Sequence, residues 1–474
     1  MMKFLQQIIN VAESYSKRKA YVINDDYITY GELVHKALKL SEALMRQGNG
    51  AVVVFGHKSV DMIVSMLACL FAKRIYVPVE NFTPIDRIQK TVGLSNAQLV
   101  IANEPVDLND VECLNINTLS EKYFVGDFEN NDNNIAYVIF TSGSTGEPKG
   151  VPISYDNLAN FIDWISDIDV LKNKSEMKVL NQASFSFDLS VADIYFSLNN
   201  GHTLVGLDKF AQQDYNKIFE IVEREEINFA VMTPSFVKML MLNGDFNKEN
   251  YPVLKCMYFC GEHLEISTVK KLKNRFPDVD VINAYGPTEA TSAVSSVTVN
   301  DDMLLLENLP VGDVSKSACD IYIDNDEIVL KGKSVFGGYL GKNIGGYFES
   351  NGQNCYRTGD LGCIKDGLLY CKGRKDNQIK YMGYRIELGD IENNLLKING
   401  IENAVVVAKY KGSSKIVKTI KAYIITNNDL DIFSVKQELL KHVPNYMVPK
   451  TIIKLNEIPL TKNGKIDRKR LEIQ

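Results

Sequence analysis

The sequence predicts a layered α/β protein in which a large N-terminal domain is followed by a small α+β C-terminal domain. Short β-branched runs alternate with helical periodicities over most of the chain. The length of 474 residues also exceeds what one ordinary hydrophobic core supports. We expect a large layered domain over residues 1–375 and a small domain over residues 376–474.

Strand and helix patterns alternate through the large domain. Residues 51–55 form a β-branched run typical of a buried strand, and residues 60–71 have helical periodicity. Strands separated by helices usually run parallel, so we expect a largely parallel sheet. The remaining strands of this region are predicted at 74–79, 99–102, 178–180, 203–206, 230–233, 256–260 and 281–284.

The pattern changes near Leu309 to short strands separated by glycine-rich turns. Beyond residue 392 a helix, two strands, a second helix and a third strand follow, which is typical of a small α+β domain. Their predicted bounds are 393–398, 404–409, 421–426, 432–442 and 451–455.

Composition and charge argue against several classes of protein. The chain is 45% hydrophobic and 24% charged, as in ordinary globular proteins, and its net charge of −6 argues against non-specific nucleic-acid binding. There is no apolar run of membrane-spanning length and no signal peptide, so we expect a cytoplasmic monomer without membrane insertion. Cys256 and Cys260 lack a second close pair that would complete a zinc site, and we expect reduced thiols.

One loop indicates polyphosphate binding. The apolar run 135–140 leads into Thr-Ser-Gly-Ser-Thr-Gly-Glu-Pro-Lys-Gly at 141–150. Glycines let backbone N–H groups approach an anion, hydroxyls add donors, and a lysine adds charge. The string is not a Walker A loop, which ends in Gly-Lys-Ser/Thr, and taken alone it also fits an ordinary loop. The candidate phosphate-binding residues are Thr141, Ser142, Gly143, Ser144, Thr145, Gly146 and Lys149.

Four further segments follow this loop in the chain. They are Asn-Ala-Tyr-Gly-Pro-Thr-Glu at 283–289, Tyr-Arg-Thr-Gly-Asp at 356–360, Gly-Arg-Lys-Asp-Asn-Gln-Ile-Lys at 373–380 and Asn-Gly-Lys-Ile-Asp-Arg at 463–468. Over essentially the whole chain, the five motifs resemble those of the adenylate-forming enzymes, which include acyl-CoA synthetases, luciferases and the adenylation domains of peptide synthetases. The resemblance implies that the protein uses ATP and Mg²⁺ to activate a carboxylate as its adenylate.

The same resemblance implies residue roles. Lys465 would bridge the substrate carboxylate and the α-phosphate, and Thr141 and Lys149 would complete the catalytic set. Asp376 would be the hinge that lets the small domain deliver either Lys465 or residues 383–385 to the site. Asp360 would accept hydrogen bonds from the ribose hydroxyls, and Glu289 would hold Mg²⁺. The other residues that would contact the nucleotide are Tyr285, Gly286, Pro287, Thr288 and Arg374.

The segment Ser-Phe-Ser-Phe-Asp-Leu-Ser at 184–190 bears on the acid that is activated. Asp188 either caps a helix that begins at Leu189 or, by resemblance, pairs with a substrate α-ammonium group. A buried carboxylate without a cation costs several kcal/mol, so Asp188 favours an amino acid.

A narrower resemblance connects segments 55–57, 79–80, 185–191 and 259–262 with the D-alanine:D-alanyl carrier protein ligases. These enzymes charge the phosphopantetheine thiol of a small carrier protein for teichoic-acid D-alanylation. Cys260 matches the cysteine of their side-chain pocket. Ser292 departs from their usual valine and makes the pocket more polar, and the segment 312–355 is shorter than theirs.

Three alternatives stay open at this point. The chain could be a peptide-synthetase adenylation enzyme for another small amino acid, or an acyl-CoA ligase. A nucleotide-binding regulator that has lost its chemistry is the third hypothesis, although no catalytic position is visibly missing.

Overall fold

The computed structural model of the protein describes residues 2–104, 106–108, 111–116, 133–143, 146–341, 345–410, 416–427, 430–460 and 466–473. Within these residues a large N-terminal domain is followed by a smaller C-terminal domain, which confirms the predicted fold class. The helices are α1 (Lys3–Ser14), α2 (Tyr30–Met45), α3 (Val60–Phe71), α4 (Ile85–Ser95), α5 (Tyr155–Ser166), α6 (Leu189–Asn200), α7 (Tyr215–Arg224), α8 (Pro234–Leu240), α9 (Ile266–Arg275), α10 (Leu388–Leu395), α11 (Ile432–Leu439) and α12 (Arg468–Ile473).

The first sheet of the large domain is parallel except for the hairpin at one edge. Its order is β6 (Glu112–Asn115), β5 (Ala97–Ala102), β3 (Ala51–Gly56), β4 (Tyr76–Glu80), β7 (Ile135–Thr141) and β8 (Lys149–Ser154). All residues of β3 are buried, which explains why this strand is a continuous apolar run.

The second sheet is parallel except for its two outermost strands, which pair antiparallel. Its order is β14 (Ser295–Thr298), β13 (Asp280–Tyr285), β12 (Cys256–Phe259), β11 (Phe229–Met232), β9 (Lys178–Asn181), β10 (Thr203–Gly206), β1 (Lys19–Ile23) and β2 (Asp26–Thr29). The predicted parallel strands of the large domain are therefore present, but they divide between two sheets.

Helices between the two sheets build the largest core. Val52 and Val54 of β3 pack into it together with Phe229 and Val231 of β11 and with residues of α1, α2, α3, α5 and α6. The alternate residue Val53 packs on the opposite face with Val92 of α4. The outer face of the second sheet packs on α7, α8 and α9. This layered arrangement brings the carboxyl ends of parallel strands from both sheets toward a common cleft.

An antiparallel sheet completes the large domain, and further strands build the small one. The former has the order β15 (Gly312–Asp313), β20 (Leu368–Arg374), β19 (Gln353–Lys365), β17 (Glu327–Lys331) and β16 (Asp320–Asp324), with β18 (Tyr347–Ser350) beside β19. The small domain contains the hairpin β21 (Gln378–Tyr381) and β22 (Tyr384–Glu387) and the sheet of β23 (Ile401–Tyr410), β24 (Val417–Thr426) and β25 (Thr451–Lys454). The predicted limit at residue 375 falls between β20 and β21.

One predicted element of the small domain is wrong in position. The helix predicted at 393–398 is α10, which begins earlier, at Leu388. Leu388, Ile391 and Leu395 recur on one face and are buried in the core of this domain, so packing sets the helix limits. Within the described residues, no helix is both long and apolar enough to cross a membrane.

Candidate active site

A cavity of about 430 Å³ lies where the carboxyl ends of the strands meet the small domain. The large domain contributes the ends of β4 and β7, the segment 182–189, Cys260 after β12, and residues between 286 and 292. The small domain contributes residues of β21 and β22 together with Pro444 and Tyr446. Most of the predicted site residues therefore converge on one cavity, although they are far apart in sequence.

The candidate phosphate loop connects the antiparallel strands β7 and β8, with Thr141 opposite Lys149. The loop needs glycine at position 143, because a Cβ there would lie 2.1 Å from the carbonyl oxygen of Glu147. Thr141 and Ser142 line the cavity. Ser144 and Thr145, also predicted to bind phosphate, lie outside the described residues.

The small domain covers this loop. Ser142 Oγ donates to the carbonyl oxygen of Arg385 at 2.9 Å and accepts from the backbone N–H of Glu387 at 3.0 Å. Lys149 Nζ lies 3.8 Å from a carboxylate oxygen of Glu387. Gly146 has a φ of +81°, and a Cβ there would lie 2.9 Å from Cβ of Asn393. In this domain orientation Ser142 and Lys149 are therefore paired with residues of the small domain.

Three of the predicted nucleotide residues form one hydrogen-bonded group. The hydroxyl of Tyr285 donates to Asp360 Oδ2 at 2.7 Å, and Arg374 Nη1 donates to Asp360 Oδ1 at 2.7 Å. Arg374 also donates to both carboxylate oxygens of Asp376, at 2.7 and 2.6 Å. The predicted hinge residue is thus linked to the predicted ribose-binding carboxylate through one guanidinium.

The segment after β13 forms another part of the cavity wall. Gly286, Pro287 and Thr288 line the cavity. A Cβ at Gly286 would lie 2.5 Å from Cα of Ala293, so only glycine permits this close approach of the two backbones.

Glu289, the predicted Mg²⁺ ligand, is fully buried. Arg385 Nη1 lies 2.6 Å from its Oε2, and the hydroxyl of Tyr339 donates to its Oε1 at 2.5 Å. Burial alone would raise the pKa of Glu289, but the charge and hydrogen bonds of Arg385 outweigh it and hold the pKa below its usual range. This orientation therefore pairs an ionised carboxylate with a guanidinium.

A hard cation fits this carboxylate. Mg²⁺ prefers oxygen ligands and is commonly held by one or two carboxylates together with substrate phosphates and water. Among the described residues no cluster of three or more histidine, cysteine or acidic side chains forms a protein cage for a metal. Glu289 would hold Mg²⁺ only after Arg385 has withdrawn.

Asp188 occupies the N-cap position of α6 without capping it. Its φ and ψ of −62° and −25° are helical, and its side chain makes no cap hydrogen bond. The carboxylate lines the cavity and accepts from Thr288 Oγ1 at 2.6 Å. Burial raises its pKa, and the Thr288 hydrogen bond partly offsets this effect. The helix-cap interpretation of Asp188 is therefore wrong, and its carboxylate lies in the cavity wall.

Cys260 and Ser292 lie together in the cavity wall. The thiol of Cys260 donates to the backbone carbonyl of Ser292 with a sulfur–oxygen distance of 4.0 Å. Burial raises the pKa of Cys260 to about 11, so this thiol is neutral near pH 7. The hydroxyl of Ser292 is buried and has no hydrogen-bond partner among the described residues.

Several contacts of the small domain were not predicted from the sequence. The ring of Tyr384 packs edge-on against Phe187 and is stacked on Tyr446, with a centroid distance of 3.6 Å to the latter. Arg87 Nη1 lies 3.3 Å from Asp390 Oδ2 across the domain interface. Neither Tyr446 nor Arg87 belongs to a motif, so no local signal identifies them.

Lys465, the predicted catalytic lysine, lies outside the described residues. Leu460 and Ile466, which flank it, form a β-bridge. Arg468 donates to the carbonyl oxygen of Val406 at 2.7 Å, and its Nη1 lies 2.6 Å from Glu392 Oε1. Leu460, Ile466 and Arg468 belong to the small domain and do not line the cavity.

Models of two known families match most of the chain. The model of the AMP-binding enzyme family matches residues 9–340, and the model of the AMP-binding enzyme C-terminal domain matches residues 390–465. The resemblance predicted from the motifs is confirmed.

Two curated relatives are similar over nearly the full chain. A D-alanine–D-alanyl carrier protein ligase of Bacillus licheniformis is 37% identical over 502 aligned positions, which cover 99% of each chain. A protein of the same name from Listeria monocytogenes is 40% identical and covers 94% of this chain and 93% of its own.

A solved structure shares the fold. The adenylation domain AlmE of Vibrio cholerae, solved in complex with glycyl-adenosine-5'-phosphate, superposes with a TM-score of 0.84. It is 22% identical, and the match covers 100% of this chain and 97% of that one.

Proposed function

This chain belongs to the family of AMP-binding enzymes, and on that premise we propose that it activates D-alanine as D-alanyl-AMP and passes the D-alanyl group to a carrier protein. The acceptor is the thiol of a phosphopantetheine arm. The names of the similar ligases from two genera support both the amino acid and the carrier.

The position of the Asp188 carboxylate is the observation that supports an amino-acid substrate. It faces the cavity, accepts a hydrogen bond from the neutral hydroxyl of Thr288, and is not used to cap its own helix. Lys380 and Arg385 favour its ionised form through their charge, and an ammonium group would add a direct, hydrogen-bonded counter-charge. The neighbouring wall of Cys260 and Ser292 suits an uncharged side chain, since both residues are neutral.

In the first half-reaction, a carboxylate oxygen of the amino acid attacks the α-phosphorus of ATP. The bond from that phosphorus to the bridging oxygen breaks, and pyrophosphate leaves with the electron pair. Both reactants are anionic, so the site must supply donors and positive charge. In our proposal Thr141, Ser142 and Lys149 hold the outer phosphates, and Lys465 stabilises charge at the α-phosphate.

A bound Mg²⁺ would neutralise phosphate charge, and Glu289 is the carboxylate that would hold it. The buried, ionised side chain of Glu289 suits that role. Asp360 and Arg374 would fix the nucleoside, because the carboxylate can accept from both ribose hydroxyls. The hydrogen bonds from Tyr285 and Arg374 hold this carboxylate in one orientation.

In the second half-reaction, a thiolate sulfur attacks the acyl carbon and AMP leaves as the carbon–oxygen bond breaks. The observed orientation suits this step. Arg385 is paired with Glu289 where Mg²⁺ would be held, and residues 383–385 line the cavity. We propose that the small domain rotates about Asp376 between this orientation and one that delivers Lys465.

A second candidate is activation of another small amino acid with a polar side chain, as in peptide-synthetase adenylation. The unpartnered buried hydroxyl of Ser292 favours it, because an unsatisfied buried hydroxyl costs about 1–3 kcal/mol unless a ligand pairs with it.

Amino-acid-dependent exchange of radioactive pyrophosphate into ATP tests the proposal. D-alanine, L-alanine, glycine and D-serine are compared, followed by loading of a phosphopantetheinylated carrier and, as a control, of free CoA. We expect D-alanine to give the highest kcat/KM and the carrier to outcompete CoA. Exchange with none of the amino acids would contradict an aminoacyl ligase, and efficient loading of CoA would favour an acyl-CoA ligase.

A further inference from the structure

We propose that Glu80 and His57 form a buried positioning pair that fixes the amino-acid-binding segment, which we define as residues 182–188. This inference rests on the proposed function, because the segment carries the carboxylate assigned to the substrate ammonium group. The motifs 55–57 and 79–80 otherwise have no role in the proposed chemistry.

The pair lies at the carboxyl ends of neighbouring parallel strands. Gly56 of β3 is opposite Glu80 of β4, and His57 directly follows Gly56. His57 Nδ1 lies 2.5 Å from Glu80 Oε2, and the backbone N–H of Lys209 donates to His57 Nε2 at 2.8 Å. A backbone N–H can only donate, so Nε2 is the acceptor and Nδ1–H donates to Glu80.

The other oxygen of Glu80 holds the segment. The backbone N–H of Phe185 donates to Glu80 Oε1 at 2.9 Å, and Glu80 is only 2% exposed. A hydrogen bond to an ionised carboxylate is shorter and stronger than a neutral one, and low local dielectric strengthens it further. His57 in turn fixes the carboxylate, so the position of Phe185 is set by two strands of the first sheet.

A buried amino group, whose pKa burial lowers to about 7, holds the start of the segment. Lys58 is fully buried, and its Nζ donates to the carbonyl oxygens of Asn181 and Gln182 at 2.9 Å each. Asn181 Nδ2 donates to the carbonyl oxygen of Ala183 at 3.1 Å. The segment is therefore anchored at its start by Lys58, which follows β3, and within its length by Glu80 of β4.

The anchored segment forms a wall of the cavity, and its residues Ala183 and Phe185 also pack in the largest core. Its lining residues are Gln182, Ala183, Ser184, Ser186, Phe187 and Asp188. Phe185 points away from the cavity lining and lies three positions before Asp188, so its backbone anchor sets where the Asp188 carboxylate lies. A misplacement of about 1 Å at a reacting group can cost roughly 100-fold in rate, which is why rigid anchoring matters here.

Substitution of Glu80 tests the inference, because it should change the KM for the amino acid and not the KM for ATP. In Glu80→Ala, the pyrophosphate-exchange KM for D-alanine should rise about 10- to 100-fold while the KM for ATP stays within about twofold. Glu80→Gln keeps an oxygen acceptor for Phe185 but presents an amide in place of the carboxylate to His57. Glu80→Gln should therefore show a smaller rise in the KM for D-alanine. If Glu80→Ala does not fold, the KM values of Glu80→Gln test the positioning role instead.

Asn157→Ala is the matched control. Asn157 is buried and donates to the carbonyl oxygens of Lys333 and Val335 at 2.7 and 3.1 Å, but it does not line the cavity. This variant should lower the melting temperature without changing the KM for D-alanine. A Glu80→Ala variant that behaves like this control, or that raises both KM values equally, would overturn the inference.

Amide hydrogen exchange of the full chain gives a readout that does not depend on catalysis. In Glu80→Ala, peptides that cover residues 182–188 should exchange faster than in the wild type, whereas in Asn157→Ala they should not. Unchanged exchange in Glu80→Ala would overturn the positioning role alone. Wild-type protein that shows no pyrophosphate exchange with any amino acid would contradict the proposed function alone.

Discussion

At the scale of single residues, the cavity wall holds polar groups whose partners are incomplete without a ligand. Among the described residues, Asp188 is hydrogen-bonded to the Thr288 hydroxyl and to no cation, and Ser292 Oγ has no hydrogen-bond partner. Such groups are costly unless a bound molecule completes their hydrogen bonds. They are therefore the positions where substitution should report on the substrate.

Asp188→Ala should raise the KM for the amino acid steeply and leave the KM for ATP nearly unchanged. Loss of one partner of a buried charge pair costs roughly 3–5 kcal/mol, because the other charge is left unpaired. Asp188→Asn, which preserves shape and an acceptor for Thr288, should show a similar defect if charge is what matters. Steady-state pyrophosphate exchange measures both, and an unchanged amino-acid KM would remove Asp188 from substrate recognition.

Ser292→Ala should separate the two substrate proposals. Ser292 has a φ of +69°, and a β-branched valine would be strained there, so alanine is the cleaner substitution. If D-alanine is the substrate, its kcat/KM should stay within about threefold, since at most one small contact changes. A substrate that bonds the Ser292 hydroxyl should instead lose most of its kcat/KM, and competition between D-alanine and D-serine measures the difference.

At the scale of elements, the connection between β20 and β21 links the two domains. Arg374 at the end of β20 binds both Asp360 and Asp376, so any rotation about Asp376 takes place beside a fixed guanidinium. The short segment contains no helix or strand between residues 375 and 377, which leaves its dihedral angles free to change.

Asp376→Pro should impair complete transfer of the amino acid to a carrier more than it impairs the half-reaction measured in the favoured orientation. Proline fixes φ near −65° and so restricts the rotation that we propose. Asp376→Ala removes the same carboxylate without restricting φ and is the matched control. Single-turnover adenylation and carrier loading are compared, and wild-type turnover in the proline variant would exclude Asp376 as the hinge.

At the scale of the whole molecule, stability should depend on pH through buried His202. Its Nδ1 accepts from the backbone N–H of Met177 at 3.2 Å. Burial, together with the nearby charge of Arg18, lowers its pKa from 6.5 to about 4. Between pH 6.5 and 4, His202 is protonated in the unfolded chain but stays neutral in the folded protein. The free energy of unfolding therefore decreases as the pH falls from 6.5 to 4.

This loss should reach about 3 kcal/mol from His202 once the pH is below 4. In His202→Asn, which keeps an acceptor for Met177, the free energy of unfolding should fall less over the same interval. Urea denaturation at pH 7.5, 5.5 and 4.5 measures the difference. Parallel pH profiles of the two proteins would show that other groups cause the dependence.

Much of the fold follows from local patterns in the chain. The helix predicted at 60–71 has the observed limits of α3, and the strand predicted at 203–206 has those of β10. A fully buried parallel strand leaves a short continuous apolar run, and a helix leaves a longer apolar segment with helical spacing. Helix α10 begins five residues before its predicted start, because Leu388 and Ile391 belong to the same buried face as Leu395.

The sequence by itself determined the family of this protein, because five ordered motifs resemble those of the adenylate-forming enzymes over essentially the whole chain. Only the tertiary structure decided which groups meet. Glu80 is hydrogen-bonded to Phe185, which is 105 positions away in the sequence. Asp188 is hydrogen-bonded to Thr288 over 100 positions, and Arg385 to Glu289 over 96 positions. Such pairings depend on the packing of sheets and domains, which no local periodicity encodes, and they fix the orientation of the carboxylates on which recognition depends.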